Sequence, residues 1–343
     1  MPAPTRTNDA CLVADVGGTH ARIGLAHVEE AGDVLAESRT YACAEHASLA
    51  AILADFARHC RARLPGLHIE NAVVAIAGFL EGDRLVNANL PWPVSLRGTA
   101  AEVGLASLRI INDFEAVACA MPSVQRDALA LLAGATAVDR LQAPALVLGP
   151  GTGLGAALCL DAHGGVLLSE AGHAALPAYD ALQLQVARVL SRRWPHLDNE
   201  RVLSGTGLVN LYEALAEIRG LPARWRQGAD IGRAALAGGD ALAEETLTVF
   251  CDWMGGLVAD LALSFGARQV YLAGGVTGHI APFLERGGFR RRYEARFAQA
   301  GHPVAAPVWR IEHGQLGLLG AAARCRGENA GTGARGATDT GTR

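Results

Sequence analysis

Asn112 and Asp113 stand where one pattern stops and another starts. Leu108-Arg109-Ile110-Ile111 has the character of a buried strand's end, and Phe114-Glu115-Ala116-Val117-Ala118 suits a short helix. An acid at that joint lies at a strand's carboxyl end, where open α/β sheets gather ligand chemistry because the chain turns away and leaves a crevice. Capping is the plainer alternative, since Asn and Asp both accept the free N–H groups of a first helical turn. A second acid, Asp15, precedes Gly17-Gly18-Thr19 between two apolar runs, the signature of a β-hairpin whose tip has no bulky side chain. Such a tip can bring backbone N–H groups and the Thr19 hydroxyl against a phosphate. Asp15 beside it suits a hydrated Mg2+ ion, which takes one or two carboxylates plus waters and phosphate oxygens. The alternative is an ordinary Gly-Gly turn with a solvated Asp.

The same theme recurs at 145–158, where two apolar runs flank Gly149, Gly151, Thr152, Gly153 and Gly155. Two such hairpins in equivalent places of the two halves read as an internal duplication that grips a phosphate from both sides. The glycines fall at alternate positions and a second strand follows, so this is not a dinucleotide fingerprint; no Gly-Lys-Ser/Thr follows either, so it is not a Walker loop. Glu170 and His173 share a loop-like stretch with Gly172 and Pro177 and can face a polyhydroxylated ligand, with a structural histidine as the alternative. A di-metal bundle would need a second Glu-x-x-His helix, and none exists. Glu200 precedes a further glycine turn at Gly205 that opens a helix. Gly274 and Gly275 end an apolar strand, where flat glycine surface suits a nucleotide's base or ribose, or simply a turn into a helix.

The elements that must position these residues alternate between strand and helix patterns. A strand is expected over 34–41, an amphipathic helix over 48–64, a buried strand over 72–78 and a polar hairpin over 81–92. Helices follow over 180–194, from Gly205 through Ala216, and over 239–265. A buried strand spans 268–276, an arginine-rich solvated helix face 287–297, a late strand 308–311 and a small-residue helix 316–325. From Gly327 onward nothing remains to bury, so a disordered tail is expected over 327–343.

With 343 residues the chain is long enough for about two domains. Half its residues are hydrophobic but only 5% are aromatic, so the cores must be aliphatic, as in α/β layers with buried strands. A formal charge of −4 without a long basic block argues against nucleic acid as a partner. Seven scattered cysteines without a C-x-x-C pair fit buried thiols in a reducing, cytoplasmic setting. No export signal is visible at the N-terminus. The uncharged stretch 141–160 has a membrane span's length, but Pro144, Pro150 and four glycines break it, and no membrane partner is expected.

Taken in order, Asp15-x-Gly-Gly-Thr-x-x-Arg22, Ile111-Asn112-Asp113-Phe114, Gly149-x-Gly-Thr-Gly-Leu-Gly155, Glu170-x-Gly-His173, Glu200-Arg-Val-Leu-Ser-Gly205 and Leu272-Ala-Gly-Gly275 together resemble the bacterial glucokinase family. This is the ATP-dependent, non-zinc branch of the actin, hexokinase and Hsp70-like ATPases, and the resemblance spans roughly 12–323. It implies a two-domain α/β fold of the actin-like, ribonuclease H-like kind with a cleft between a small and a large domain. The small domain would hold 1–111, completed by 313–326, and the large one 112–312. The resemblance implies Asp113 as the general base toward the 6-hydroxyl of glucose. It implies Asn112, Asp113, Glu170, His173 and Glu200 as sugar-binding residues. Asp15, Gly17, Gly18 and Thr19 would form the first phosphate segment, with Mg2+ at Asp15, and Gly149, Gly151, Thr152, Gly153 and Gly155 the second. Gly274 and Gly275 would lie in the adenosine region of bound ATP. A homodimer is expected by the same analogy, and a structural zinc is not.

The chain departs from the family pattern at Gly78-Phe79, where Gly-Pro is usual, at His20, where Asn is common, and at Ala171, where Gly is common. Phe79 and His20 bear on sugar preference. Three other functions share parts of this pattern: a sugar-sensing regulator, an ATPase without a sugar site, and a kinase for another sugar such as mannose or N-acetylmannosamine, or for a carboxylic acid.

Overall fold

The computed structural model describes residues 9–27, 35–87, 89–135, 141–161, 165–312 and 314–335. The chain divides into two compact units, 1–123 with 163–165 and 314–343, and 124–162 with 166–313.

In the first unit, strands β1 (Asp9–Val16), β2 (His20–His27), β3 (Glu37–Ala42), β4 (His68–Ile76) and β8 (Ser107–Ile111) form a sheet in the order β3-β2-β1-β4-β8. The first three strands run antiparallel, whereas β1, β4 and β8 are parallel. Both faces of the central strands are covered, which is why they read as continuous apolar runs instead of alternating ones. Leu12, Ala14, Val74 and Ile76 pack on the side of helix α1 (Leu49–Arg63). Cys11, Val13, Val73 and Ala75 point the other way, onto Leu318, Ala321 and Ala322 of the C-terminal helix α11 (Leu316–Arg335). Helix α1 buries Ile52, Leu53, Phe56 and Cys60 along one stripe and starts at Ser48, whose hydroxyl accepts the Ala51 N–H at 3.0 Å. A small sheet of β5 (Phe79–Glu81), β6 (Arg84–Val86) and β7 (Val94–Ser95) leads into α2 (Leu96–Val103), and α3 (Asp113–Ala120) follows β8. Helix α11 comes so close to α3 that a Cβ on Gly320 would lie 1.7 Å from the Ala116 carbonyl oxygen.

The second unit repeats the plan. Its sheet runs β12 (Val166–Ser169), β11 (Leu154–Cys159), β10 (Ala145–Pro150), β13 (Gln269–Leu272), β14 (Val308–Ile311), with β9 (Leu129–Ala133) added at the edge. Again three antiparallel strands precede two parallel partners. Helices α4 (Ala181–Leu190), α5 (Gly205–Arg219), α6 (Gly228–Leu236), α8 (Gly275–His279) and α9 (Ala281–Glu285) surround the long α7 (Ala241–Phe265). Helix α7 is long and apolar enough to cross a membrane by length and composition, yet 67% of its apolar window is buried, with Phe250, Trp253 and Met254 in the core. Charge-free 141–160 is instead two strands and a glycine turn, as the prolines and glycines predict.

Two expectations need restating. The arginine-rich helix α10 (Gly288–Gln299) is more than a solvated face: it buries Phe289, Tyr293 and Phe297, and Arg292 pairs with Asp180 and Asp252 while Arg296 pairs with Asp260. Three aromatics at i, i+4 and i+8 supplied an anchoring stripe that the arginines hid from a reading by composition. Helix α11 continues to Arg335, past Gly327, because extending an anchored helix costs far less than nucleating one. The remainder of the expected tail, 336–343, lies outside the described residues.

Candidate active site

The first unit carries two acids at one end of its parallel strands. Asp15 pairs in register with Ala75, and Ala75 with Ile111, so these three residues form a row across β1, β4 and β8. Asp113 follows two residues later as the first residue of α3. The cap is made by Asn112, whose Oδ1 accepts the Phe114 N–H at 2.8 Å and the Glu115 N–H at 3.3 Å. Asp113 Oδ1 shares the Phe114 N–H at 3.0 Å, and its side chain stays half-buried at the strand end. The capping alternative therefore holds for Asn112, and Asp113 shares one of its bonds. Asn112 keeps its amide N–H2 for other partners.

Burial pushes the Asp15 carboxyl above the usual carboxylate range; the Arg22 guanidinium, 3.8 Å away, opposes this, and the charge of Asp113 adds to it. The carboxylate rests against the first turn of α11, where a Cβ on Gly317 would lie 2.4 Å from Asp15 Cγ. Gly317 is thus a site-shaping residue that no motif marked; its signal in the sequence was only one glycine among small residues. The turn 17–19 is exposed and held from below. Gly17 N–H donates to the His20 carbonyl at 2.9 Å, and Cys43 donates its N–H to the Thr19 carbonyl at 2.8 Å and its thiol to the Gly17 carbonyl at 3.4 Å. A Cβ on Gly18 would stand 2.7 Å from the Asn89 carbonyl oxygen. Among the described residues no group of three His, Cys, Asp or Glu side chains could hold a metal. Two neighbouring carboxylates beside a phosphate-type turn do fit Mg2+, which keeps most of its waters and binds few protein ligands.

In the second unit Gly151, Thr152 and Gly153 lie against Glu200 and the start of α5, while Gly149 and Gly155 pair in the ladder behind the turn. Gly151 N–H donates to the Gly153 carbonyl at 2.8 Å, Gly205 N–H to the Gly151 carbonyl at 2.7 Å, and the Thr206 hydroxyl to the Thr152 carbonyl at 3.2 Å. The turn between β10 and β11 therefore sits on the start of α5. Glu170 and His173 flank a single 3-10 turn and are exposed. A short ladder ties that turn to the segment before α5: Leu176 N–H to Leu197 O at 2.9 Å, Asn199 N–H to Ala174 O at 3.0 Å, and Glu200 N–H to Gly172 O at 2.9 Å. Glu200 Oε2 accepts the Leu154 N–H at 2.9 Å.

Sequence reasoning missed Asp198, which is 8% exposed and lies 3.3 Å from His173 Nδ1. Its other oxygen accepts the Arg201 N–H at 3.0 Å. A carboxylate on Nδ1 favours the tautomer that leaves Nε2 as an acceptor. Nothing about Asp198 in the sequence distinguished it from a turn residue. Gly274, at φ 95°, lies where a Cβ would meet the Pro150 carbonyl oxygen at 2.7 Å, so its glycine is needed for close packing on β10. A cavity of about 640 Å³ opens next to the second glycine turn, lined by Gly151, Thr152, Thr206, Leu208, Val209, Val276, His279 and Ile280 among others. One of its walls comes from Val276, His279 and Ile280, just after Gly275, with neither Gly274 nor Gly275 among the lining residues.

The family model for glucokinase matches residues 12–328. A glucokinase-like protein of Xylella fastidiosa is 40% identical over 332 residues, covering 93% of this chain and 97% of its own. A glucokinase of Stenotrophomonas maltophilia is 37% identical over 319 residues, covering 91% and 93%. Among solved structures, a glucokinase from an Antarctic psychrotroph superposes with a TM-score of 0.79 at 30% identity, covering 92% of this chain and 98% of that one.

Proposed function

Because the chain belongs to the glucokinase family, we propose that this ATP-dependent sugar kinase transfers the γ-phosphoryl group of ATP to the 6-hydroxyl of glucose, giving glucose 6-phosphate and ADP. The observation that carries the proposal is the pair of acids at one strand end. Asp15 and Asp113 sense each other's charge beside an exposed Gly-Gly-Thr turn, and the neighbouring cap is satisfied by Asn112. Phosphoryl transfer asks for little covalent chemistry from the protein, mainly positioning and charge stabilisation.

Asp113 acts as the general base, accepting the proton of the 6-hydroxyl as that oxygen attacks phosphorus. The remaining sugar hydroxyls donate to Glu170, to His173 Nε2 and to Glu200 Oε1, and one accepts from the Asn112 amide. Backbone N–H groups of the two turns, Gly17 to Thr19 and Gly149 to Gly155, receive the phosphates. The cavity beside Val276 and Ile280 takes the adenosine, next to the turn closed by Gly274 and Gly275. Asp15 would hold a hydrated Mg2+, which would supply neutralising charge to the phosphate oxygens. A neutral polyol suits this set, since each acceptor takes one hydroxyl proton. The enzyme works as a cytoplasmic homodimer with neither nucleic acid nor membrane as partner.

A coupled assay of ADP release across glucose, mannose, fructose and N-acetylmannosamine tests the proposal. Glucose should give the highest kcat/KM. ATP binding without glucose-dependent turnover would overturn it, and a higher kcat/KM for another hexose would reassign the substrate.

A further inference from the structure

We propose that Glu200 couples sugar binding to nucleotide binding inside the second unit, by pinning the peptide of Leu154 at the end of the second glycine turn. The proposal rests on the glucokinase reading above for the identity of the sugar.

Two contacts converge on Leu154, and a third joins their partners. Its N–H donates to Glu200 Oε2 at 2.9 Å. Its carbonyl oxygen is pressed against Gly172, where a Cβ would come within 2.2 Å of it. Gly172 in turn accepts the Glu200 N–H at 2.9 Å through its own carbonyl. The glycine turn, the Glu170–His173 turn and Glu200 thus meet at one residue, Leu154, through the peptide units on either side of it. Gly153 completes the lock, because a Cβ there would lie 2.3 Å from Glu200 Oε2; only glycine leaves the carboxylate its place.

The consequence is energetic. A carboxylate that accepts a backbone N–H with one oxygen and a sugar hydroxyl with the other is held by both, and the two hydrogen bonds orient each other. Sugar on Glu200 fixes the side chain, the side chain fixes the Leu154 N–H, and the turn is set for phosphate before nucleotide arrives. Nucleotide bound on the turn orders Glu200 for sugar by the same amount, since coupling between two sites is reciprocal. Glu200 is then a positioning residue for the nucleotide as well as a sugar ligand.

The test uses the full-length protein and a non-hydrolysable ATP analogue with Mg2+. In the wild type, saturating glucose should tighten analogue binding by about tenfold. Gly153→Ala keeps Glu200 but displaces its carboxylate, a flexible group free to move without disturbing the fold. Both ligands should bind more weakly, since Gly153 lies in the phosphate turn and Glu200 takes a sugar hydroxyl, and the ratio of analogue affinities with and without glucose should fall close to one. Amide hydrogen exchange at Leu154 reads the lock without any sugar: it should speed up at least about fivefold in both Gly153→Ala and Glu200→Ala. A ratio that persists in Gly153→Ala, a wild-type ratio of one with glucose bound, or Leu154 exchange unchanged in the two variants would overturn the coupling. Should glucose not bind at all, the reading of function fails by itself, and the Leu154 amide still decides whether Glu200 pins the turn.

Discussion

The two units share a plan and use it differently. Apart from the edge strand β9, each sheet runs three antiparallel strands into two parallel ones, and each places a glycine turn with a threonine in the first hairpin of that run, β1–β2 or β10–β11. In the first unit the turn is exposed and an acid precedes it directly, with a second acid at the neighbouring strand end. In the second unit the turn is clamped, by Glu200 on Leu154 and by the start of α5 on Gly151 and Thr152. On the function proposed above, one frame is fitted for chemistry and the other for holding. A strand-turn-strand supplies aligned N–H groups cheaply, and what differs is where the nearest acid stands: on the strand before the turn in the first unit, on the segment before α5 and bonded to the turn's last N–H in the second.

That contrast can be broken at particular residues. The largest effect is expected at the acid of the first unit: Asp113→Ala should lower kcat by about 10²–10⁴-fold with the KM for glucose within a few fold of wild type, measured at saturating MgATP. Next comes Gly317→Ala, outside every motif, whose Cβ would displace the Asp15 carboxylate; kcat/KM for MgATP should fall by about tenfold or more, with the fold intact by circular dichroism. In the holding unit the effects are smaller. Asp198→Asn retains the acceptor for the Arg201 N–H but turns an amide N–H toward His173, which favours the other tautomer and removes an acceptor from the sugar. The KM for glucose should rise about fivefold with kcat nearly unchanged, and the 15N shifts of the His173 ring should report the swap. If kcat falls instead, the histidine belongs to the chemistry and the contrast between the units is lost.

The smallest effect is on stability and has a definite sign. The raised folded-state pKa of Asp15 means the folded protein prefers this carboxyl protonated. Its contribution to stability is fully present below the unfolded value of about 3.9 and is lost as pH rises through the folded value. Asp15→Asn should therefore raise Tm by a few degrees near pH 7.5 and leave it unchanged near pH 3.5. A lower Tm at pH 7.5 would mean that the pair with Arg22 outweighs burial.

Much of this arrangement could be read from the residues. Buried strands announce themselves as apolar runs, so the segments ending at Val16, Ile76, Ile111, Pro150 and Leu272 stood out, and glycines marked both turns. Asn112 and Asp113 can be located but not told apart, because capping and catalysis favour the same residue types at the same joint; in the structure Asn112 takes both the Phe114 and the Glu115 N–H, while Asp113 shares the first. Asp198 and Gly317 were invisible. Their significance lies in contacts across 25 and 302 positions of chain, to His173 and Asp15, which no local spacing encodes. Helix α10 has the solvated arginine face that its composition announces, but three aromatics hidden among the charges carry its packing.

The central claim is that Asp113 takes the proton as phosphorus moves to the sugar. A single turnover with limiting ATP labelled at the γ-position, mixed with enzyme already saturated with glucose and Mg2+, tests it directly. Wild-type protein should place the label on the 6-oxygen of glucose within the first turnover. Asp113→Asn should bind both substrates and leave the label on ATP over the same interval. Label released as inorganic phosphate by the wild type, or transferred to glucose at a near-normal rate by Asp113→Asn, would contradict the account.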